Sequence, residues 1–185
     1  MTTPQRDLAR VARAAIDANS YLTLATADRA GLPWPSPVWY AHAGYREFFW
    51  VSAPGTRHSR NLAERPEAGI VIFDSHVPAG TAQAVYLTVT GAEVTADELL
   101  RGIEVFSARS QAQIGRPWTP DDVRAPSALR LYRASVSEVW VVDGFDQRLR
   151  VELEDLAEPG CLPAGWPEFQ LRRWSWRPGL PSVIS

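Results

Sequence analysis

One stretch, residues 47–74, constrains the fold of this chain more than any other. It begins with an aromatic and β-branched run at 48–51, which has the composition of a strand. Pro54 and Gly55 end that run, because proline donates no ladder hydrogen bond and glycine allows a sharp reversal. Thr56 is placed to cap a short helix that ends before Pro66, and an apolar run at 68–73 follows. The stretch therefore predicts a strand, a loop, a short helix and a second strand.

Three basic side chains, Arg57, His58 and Arg60, stand in the first turn of that short helix. A helix dipole favours anions at this end, so the cluster is explained if an anion binds in the loop. Backbone N–H groups, the Thr56 and Ser59 hydroxyls and a forked guanidinium together suit a phosphate dianion. A solvated surface turn is the alternative interpretation, and this stretch alone leaves both open.

The rest of the chain is dominated by strand patterns. Residues 21–27, 33–43, 84–94 and 129–142 read as strands, and residues 6–18 and 96–108 have helical spacing of apolar residues. Prolines in the first half of 33–43 place that half at a sheet edge or against a ligand. Short turns join the first strands, which favours antiparallel pairing. We therefore predict a mainly β protein: a small antiparallel barrel of six or seven strands with two or three connecting helices.

Composition changes from Pro159 onward, where prolines and tryptophans replace periodic patterns. Trp166, Phe169, Trp174 and Trp176 carry too much apolar area to remain in water. We therefore divide the chain into a barrel domain at 1–158 and a tail at 159–185. The tail is predicted to pack on the barrel or on a partner subunit.

Charge and composition narrow the classes of function. A net charge of -2 argues against nucleic acid or an anionic membrane as the main partner. The single cysteine, Cys161, excludes an intrachain disulfide and is compatible with a reducing cytoplasm, and no long apolar run or signal peptide is present. We therefore expect a soluble cytoplasmic protein. Histidines at metal-ligand spacing, a Ser-His-Asp order and a Walker loop are all missing, so we predict neither a metal site nor a catalytic residue.

Four motifs, taken together, carry a family resemblance. They run in the order LTLATAD, SPVWY, FFWVSAPGTRHSRNLAERPEAGIVIFD and AVYLTVTGAEV, and they cover residues 20–94. In this order and spacing the chain resembles the pyridoxamine 5'-phosphate oxidase-like, flavin-binding split-barrel superfamily. The resemblance implies a split β-barrel that forms a homodimer, with two FMN sites built across the subunit interface.

The resemblance also assigns residues to the cofactor. It places the FMN phosphate in the loop of Thr56, Arg57, His58 and Arg60, where the electrostatics had suggested an anion. The remaining assignments are Ser36, Pro37, Val38 and Trp39 along the ribityl chain and pyrimidine, Trp50 and Ser52 beside the phosphate, and Gln83 reaching the flavin. For Trp39 and Trp50, packing in the core is an equally open interpretation.

Three departures from the family pattern bear on function, and two of them lie in the cofactor-binding motifs. The oxidase itself has an arginine where this chain has Ser36 and a lysine where it has His58. Its C-terminal arginine and histidine, which hold the vitamin substrate, have no clear counterpart here. The resemblance therefore implies a related FMN-dependent oxidoreductase, which transfers hydride at flavin N5 to or from an unidentified small-molecule substrate.

Hydride transfer at a flavin needs no general acid or base from the protein. Two alternatives keep the same fold. One is a deazaflavin-dependent reductase, whose cofactor also carries a phosphate-bearing tail. The other is a non-catalytic binder, either of flavin or of haem with His42, His58 or His76 as the axial ligand.

Overall fold

The computed structural model describes residues 5–78, 81–142 and 147–156 of the chain. The predicted tail and Cys161 lie outside these residues. The strands are β1 (Tyr21–Ala27), β2 (Pro33–Trp39), β3 (Ala41–Ala43), β4 (Glu47–Ser52), β5 (Glu67–Phe73), β6 (Ala84–Glu93), β7 (Arg130–Val142) and β8 (Arg148–Val151). The helices are α1 (Gln5–Ala18), α2 (Arg57–Glu64), α3 (Ala96–Ile114) and α4 (Leu153–Leu156), with a 3-10 turn at Pro120–Val123. The mainly β fold class is confirmed, and α2 and α3 are its connecting helices.

All eight strands belong to one antiparallel sheet in the order β2-β1-β5-β6-β7-β4-β3, with β8 paired to β7. The count exceeds the predicted six or seven partly because the segment predicted as one strand, 33–43, forms both β2 and β3. Tyr40 separates them: its side chain is fully buried, its hydroxyl donates to the Ile16 carbonyl at 2.6 Å, and its backbone N–H points to the Ser20 carbonyl at 3.4 Å. Since β2 and β3 are consecutive in the chain yet stand at opposite ends of the sheet order, the sheet must curl upon itself. This is the curl of a split β-barrel.

The proline-rich strand lies where its composition requires. β2 is an edge strand whose sheet neighbour is β1, with Ala27 opposite Pro33 and Thr23 opposite Pro37. Pro33, Pro35 and Pro37 are all exposed on one face, while Ser36 and Val38 turn inward. Proline cannot donate to a second neighbour, so the predicted edge position is confirmed.

The core has two parts, on opposite faces of the curled sheet. The inner part packs α1 against alternating residues of the strands, among them Leu22 and Leu24 of β1 and Ile70 and Ile72 of β5. The outer part packs α3 against β3, β4 and β7. A Cβ at Gly102 of α3 would lie 2.9 Å from Leu131 Cδ2, so glycine is what permits this approach.

Helix α3 is longer than predicted. It continues past Ala108 to Ile114 and ends at Gly115, whose φ of 70° gives a left-handed C-terminal cap. Among the helices of the described residues, none combines the length and apolarity needed to cross a membrane.

Candidate functional site

The start of α2 follows the end of β4 after a short loop. Thr56 occupies the N-cap position with extended φ and ψ of -70° and 155°, as predicted, but its side chain does not cap the helix. The Thr56 hydroxyl lies 3.0 Å from the Ala53 carbonyl, to which it donates. Within the described part of the chain, no side chain therefore fills the positive end of this helix, and its first-turn N–H groups are left for a ligand or water.

His58 is the centre of a cluster of hydroxyl groups at this helix start. Its Nε2 atom lies 2.8 Å from Ser52 Oγ and 3.1 Å from Thr56 Oγ1, and its Nδ1 atom lies 3.2 Å from Ser36 Oγ. Ser36 belongs to β2 and Ser52 to β4, so the imidazole connects two strands that are not neighbours in the sheet. Burial lowers the pKa of His58, which favours its neutral form.

Ser36 and His58, the two residues that depart from the family pattern in the cofactor-binding motifs, are thus in direct contact. Where the resemblance leads one to expect an arginine and a lysine, this chain has Ser36 and His58 joined by a hydrogen bond. Relative to the pattern that the resemblance suggests, these two positions carry less positive charge, because serine is neutral and burial lowers the pKa of His58.

The permanent positive charge of the loop comes from Arg57 and Arg60. The Arg57 guanidinium lies 4.4 Å from the centre of the Trp34 ring, and one of its nitrogens is 3.9 Å from an Asp28 carboxylate oxygen. Arg60 is exposed and donates to the Gly55 carbonyl at 2.6 Å. Both guanidinium groups have further N–H donors, which could hydrogen-bond to an anion at the start of α2.

A buried polar chain holds α2 against the sheet. Asn61 Nδ2 donates to Thr26 Oγ1 at 3.0 Å, and Thr26 Oγ1 lies 3.1 Å from the Trp34 carbonyl. Asn61 and Thr26 are only 4% and 3% exposed, so water does not replace these bonds easily. On the same helix Leu62 packs against Gly91 of β6, where a Cβ would lie 3.0 Å from Leu62 Cδ2.

The structure gives the side chains of Trp39 and Trp50 packing roles. Trp50 is fully buried and stacks on Tyr132, with ring centres 5.8 Å apart. Trp39 meets Phe106 of α3 edge-on at 5.0 Å, and its indole N–H donates to Gln113 at 3.1 Å. Of the two interpretations left open by the sequence, core packing is the one that these contacts support.

Of the other residues predicted to bind the cofactor, Pro37 and Val38 lie on β2 and Gln83 lies just before β6. Val38 is buried in the inner core and Pro37 is exposed on the outer face of β2. Gln83 precedes β6, and the first residue of β6 pairs with Phe73 at the far end of β5. Near its other end, β6 pairs with Glu67, the residue at which β5 begins shortly after α2. At about 3.4 Å per residue, Gln83 lies more than about 20 Å along β6 from the helix. Within one chain, Gln83 is therefore not brought to the His58 cluster.

The three histidines do not converge. His42 Nε2 lies 3.2 Å from an Asp17 carboxylate oxygen, and its ring stacks on Tyr45 at 4.6 Å between centres. The His76 side chain is 84% exposed beside Asp74. No group of three or more histidine, cysteine or acidic residues among the described ranges could hold a metal ion.

Sequence reasoning missed Trp34 and Asp28, which contact Arg57, and Tyr132, which is hydrogen-bonded to the Ser59 side chain. Trp34 could have been found from strand alternation, because it stands two residues before Ser36 and hence on the same face. Asp28 and Tyr132 gave no comparable signal, since their contacts depend on how distant segments pair.

The fold and this helix start define the class of the protein: a split β-barrel with a basic loop at the start of a helix. A family model described as pyridoxamine 5'-phosphate oxidase matches residues 8–143. The chain belongs to that family. Comparison with curated proteins gave no match.

Solved structures of similar fold come from several bacteria. A haem-binding protein from Mycobacterium smegmatis is 23% identical with a TM-score of 0.64, and the match covers 85% of this chain but only 62% of that protein. HutZ, the haem storage protein from Vibrio cholerae, is 19% identical with a TM-score of 0.58, covering 73% and 95% of the two chains. A Clostridium acetobutylicum protein of the pyridoxinephosphate oxidase family, related to general stress protein 26, is 9% identical with a TM-score of 0.60, covering 82% and 98%. These likenesses support the fold alone.

Proposed function

We propose that this protein is an FMN-binding oxidoreductase related to, but distinct from, the vitamin B6 oxidase. The observation that carries the proposal is the uncapped start of α2, which offers backbone N–H groups beside Arg57 and Arg60 in a chain of this family. Such a helix start suits a phosphate group in both charge and donor geometry.

The residues present fit the phosphate end of FMN. Arg57 and Arg60 supply two positive charges, and Ser52 and Thr56 supply hydroxyl groups that lie 3.3 Å apart at the mouth of the loop. Ser36 brings the inward face of β2 to this loop through its contact with His58. We assign to this strand the ribityl chain and pyrimidine edge of the cofactor.

When bound, the flavin supplies hydride transfer at its N5 atom, and this chain supplies binding and orientation. Gln83 lies more than about 20 Å along β6 from the helix that would hold the phosphate, so we assign its proposed role to the partner subunit of a homodimer. Dimerisation, a small-molecule substrate and a cytoplasmic location are parts of the same proposal.

Removing a guanidinium is the sharpest test of the phosphate site. Arg57→Ala should weaken FMN binding about tenfold to a hundredfold, because a hydrogen bond to a charged group contributes about 1.5–3 kcal/mol. Fluorescence quenching of FMN during titration of the apoprotein measures this change.

The matched control is Arg150→Ala. Arg150 is a half-exposed arginine on β8, 3.8 Å from Glu138 and at the far end of β7 from Tyr132. FMN affinity in this variant should stay within about twofold of wild type. Equal affinity in Arg57→Ala and Arg150→Ala would rule out the assigned phosphate position, and no FMN binding by the wild type would rule out the function.

Haem binding is the second candidate, because two of the matched structures are of haem proteins. In this chain the imidazole of His76 is the most open of the three, whereas His42 is paired with Asp17 and His58 is held by hydroxyls. A Soret band on adding hemin that disappears in His76→Ala would favour haem over FMN. Binding of a deazaflavin with no affinity for FMN would favour the third candidate.

A further inference from the structure

We propose that His58 determines the charge of the ligand that this site accepts: the imidazole takes up one proton from solvent when the site binds a phosphomonoester dianion. This inference rests on the proposed phosphate site and deepens it. A lysine at this position would hold its charge at every physiological pH, whereas the charge of a histidine in this range depends on the pH and on a nearby anion.

The contacts of His58 allow both protonation states. The one hydroxyl proton of Thr56 is shared between two acceptors, the Ala53 carbonyl at 3.0 Å and Ser59 Oγ at 2.8 Å. We assign the proton of the neutral imidazole to Nε2, which lies 2.8 Å from Ser52 Oγ and 3.1 Å from Thr56 Oγ1 and can donate to either hydroxyl. Nδ1 in turn accepts from the Ser36 hydroxyl at 3.2 Å.

Protonation changes this arrangement at one atom. A proton added to Nδ1 makes that nitrogen a donor, and Ser36 Oγ becomes its acceptor. The Ser36 hydroxyl proton is then free to turn toward an anion. One imidazolium charge and one hydroxyl donor thus become available together, at the two positions where the family has cations.

In the part of the chain that the structure describes, His58 has no ion-pair partner. The ionisable groups on the neighbouring elements include Asp28 in the β1–β2 turn, Arg57, Arg60 and Glu64 on α2, Glu47 on β4, Tyr86 and Glu93 on β6, and Arg130, Tyr132, Arg133 and Glu138 on β7. Asp28 faces Arg57 at 3.9 Å and Glu93 faces Arg130 at 3.5 Å. Neither carboxylate is bonded to His58 among the residues that the structure describes, and burial lowers the pKa of His58.

An arriving phosphate dianion would be the missing counter-charge. A bound dianion favours the charged imidazole. By thermodynamic linkage, protonation of the imidazole in turn strengthens dianion binding, so the affinity rises as the pH falls. A fully coupled proton changes the affinity about tenfold per pH unit. Riboflavin, which has no phosphate, should show no such dependence.

The test is FMN titration by calorimetry between pH 6.5 and pH 8.5, in two buffers of different ionisation enthalpy at each pH. We expect uptake of up to one proton per FMN and an affinity that falls by up to about a hundredfold across this range. Riboflavin serves as the ligand control. His58→Lys should bind FMN tightly at both pH values, and His58→Gln should bind it weakly at both, each without proton uptake.

The outcomes separate this inference from the proposed function. FMN binding by the wild type without proton uptake, or a pH dependence that persists in His58→Lys, would refute the role of His58 and leave the flavin site standing. If FMN does not bind at all, the histidine NMR signals are titrated with and without inorganic phosphate. A rise in the His58 pKa with phosphate would then support the inference without FMN, and an unchanged pKa would overturn it.

Discussion

The buried hydrogen bonds of Thr26 offer a test of how α2 is held in position. Thr26→Val keeps the shape of the side chain but removes the acceptor of Asn61 Nδ2 and the donor to the Trp34 carbonyl. Because Asn61 is only 4% exposed, its amide would be left without a partner and largely without water. A buried polar group in this state costs about 1–3 kcal/mol.

We expect the free energy of unfolding to fall by about 2 kcal/mol, since the added apolar surface of valine offsets only part of the loss. For a domain of this size, that corresponds to a fall of about 4–8 °C in the melting temperature. Urea unfolding followed by tryptophan fluorescence measures the free energy, and calorimetry measures the melting temperature.

Thr23→Val is the matched control, because Thr23 lies on the opposite face of the same strand. It makes the same chemical change without touching the Asn61 chain. A loss in Thr26→Val no larger than that in Thr23→Val would refute the reasoning. A double variant with Asn61→Leu should lose about 1–2 kcal/mol less than the sum of the two single variants, because both polar partners are then absent.

Two further predictions concern side-chain contacts between the sheet and the helices α2 and α3. Gly91→Val should cost about 1–3 kcal/mol of unfolding free energy, because the new side chain meets Leu62, and Leu62→Ala in the same protein should recover part of that loss in urea unfolding. Glu47→Gln should cost about 1 kcal/mol at pH 7. The hydrogen bond and charge of Arg101, together with Arg133, lower the pKa of Glu47 below 4.5, so the ionised form stabilises the folded state above that pH. The difference between this variant and wild type should shrink as the pH falls through the lowered pKa, and a constant difference in acid unfolding curves would contradict this.

Local chemistry made the main elements predictable. The prolines of β2 indicated an edge strand, and Pro54, Gly55 and Pro66 marked the limits of the loop and helix between β4 and β5. These signals act through backbone donors and allowed dihedral angles, which depend only on neighbouring residues. For the same reason Gly115 could have marked the true end of α3.

Contacts between distant segments could not be predicted in this way. Sequence reasoning selected Ser36, Ser52 and His58 separately, but only the curl of the sheet brings β2 and β4 to the same imidazole. The break at Tyr40 has the same origin, because it is fixed by bonds to Ile16 and Ser20 in another part of the chain. The position of Thr56 was predicted, yet its hydroxyl bonds to the Ala53 carbonyl and to Ser59 Oγ rather than to a backbone N–H of the helix.

The most direct test of the phosphate site is an amide NMR spectrum of the wild-type protein, recorded as FMN is added. The account predicts that the backbone N–H signals of Arg57, His58 and Ser59 shift most, because these groups would donate to the phosphate. Inorganic phosphate should move the same signals in the same direction, and riboflavin should not. Shifts confined to other parts of the chain, or no shift with either phosphate ligand, would contradict a phosphate site at the start of α2.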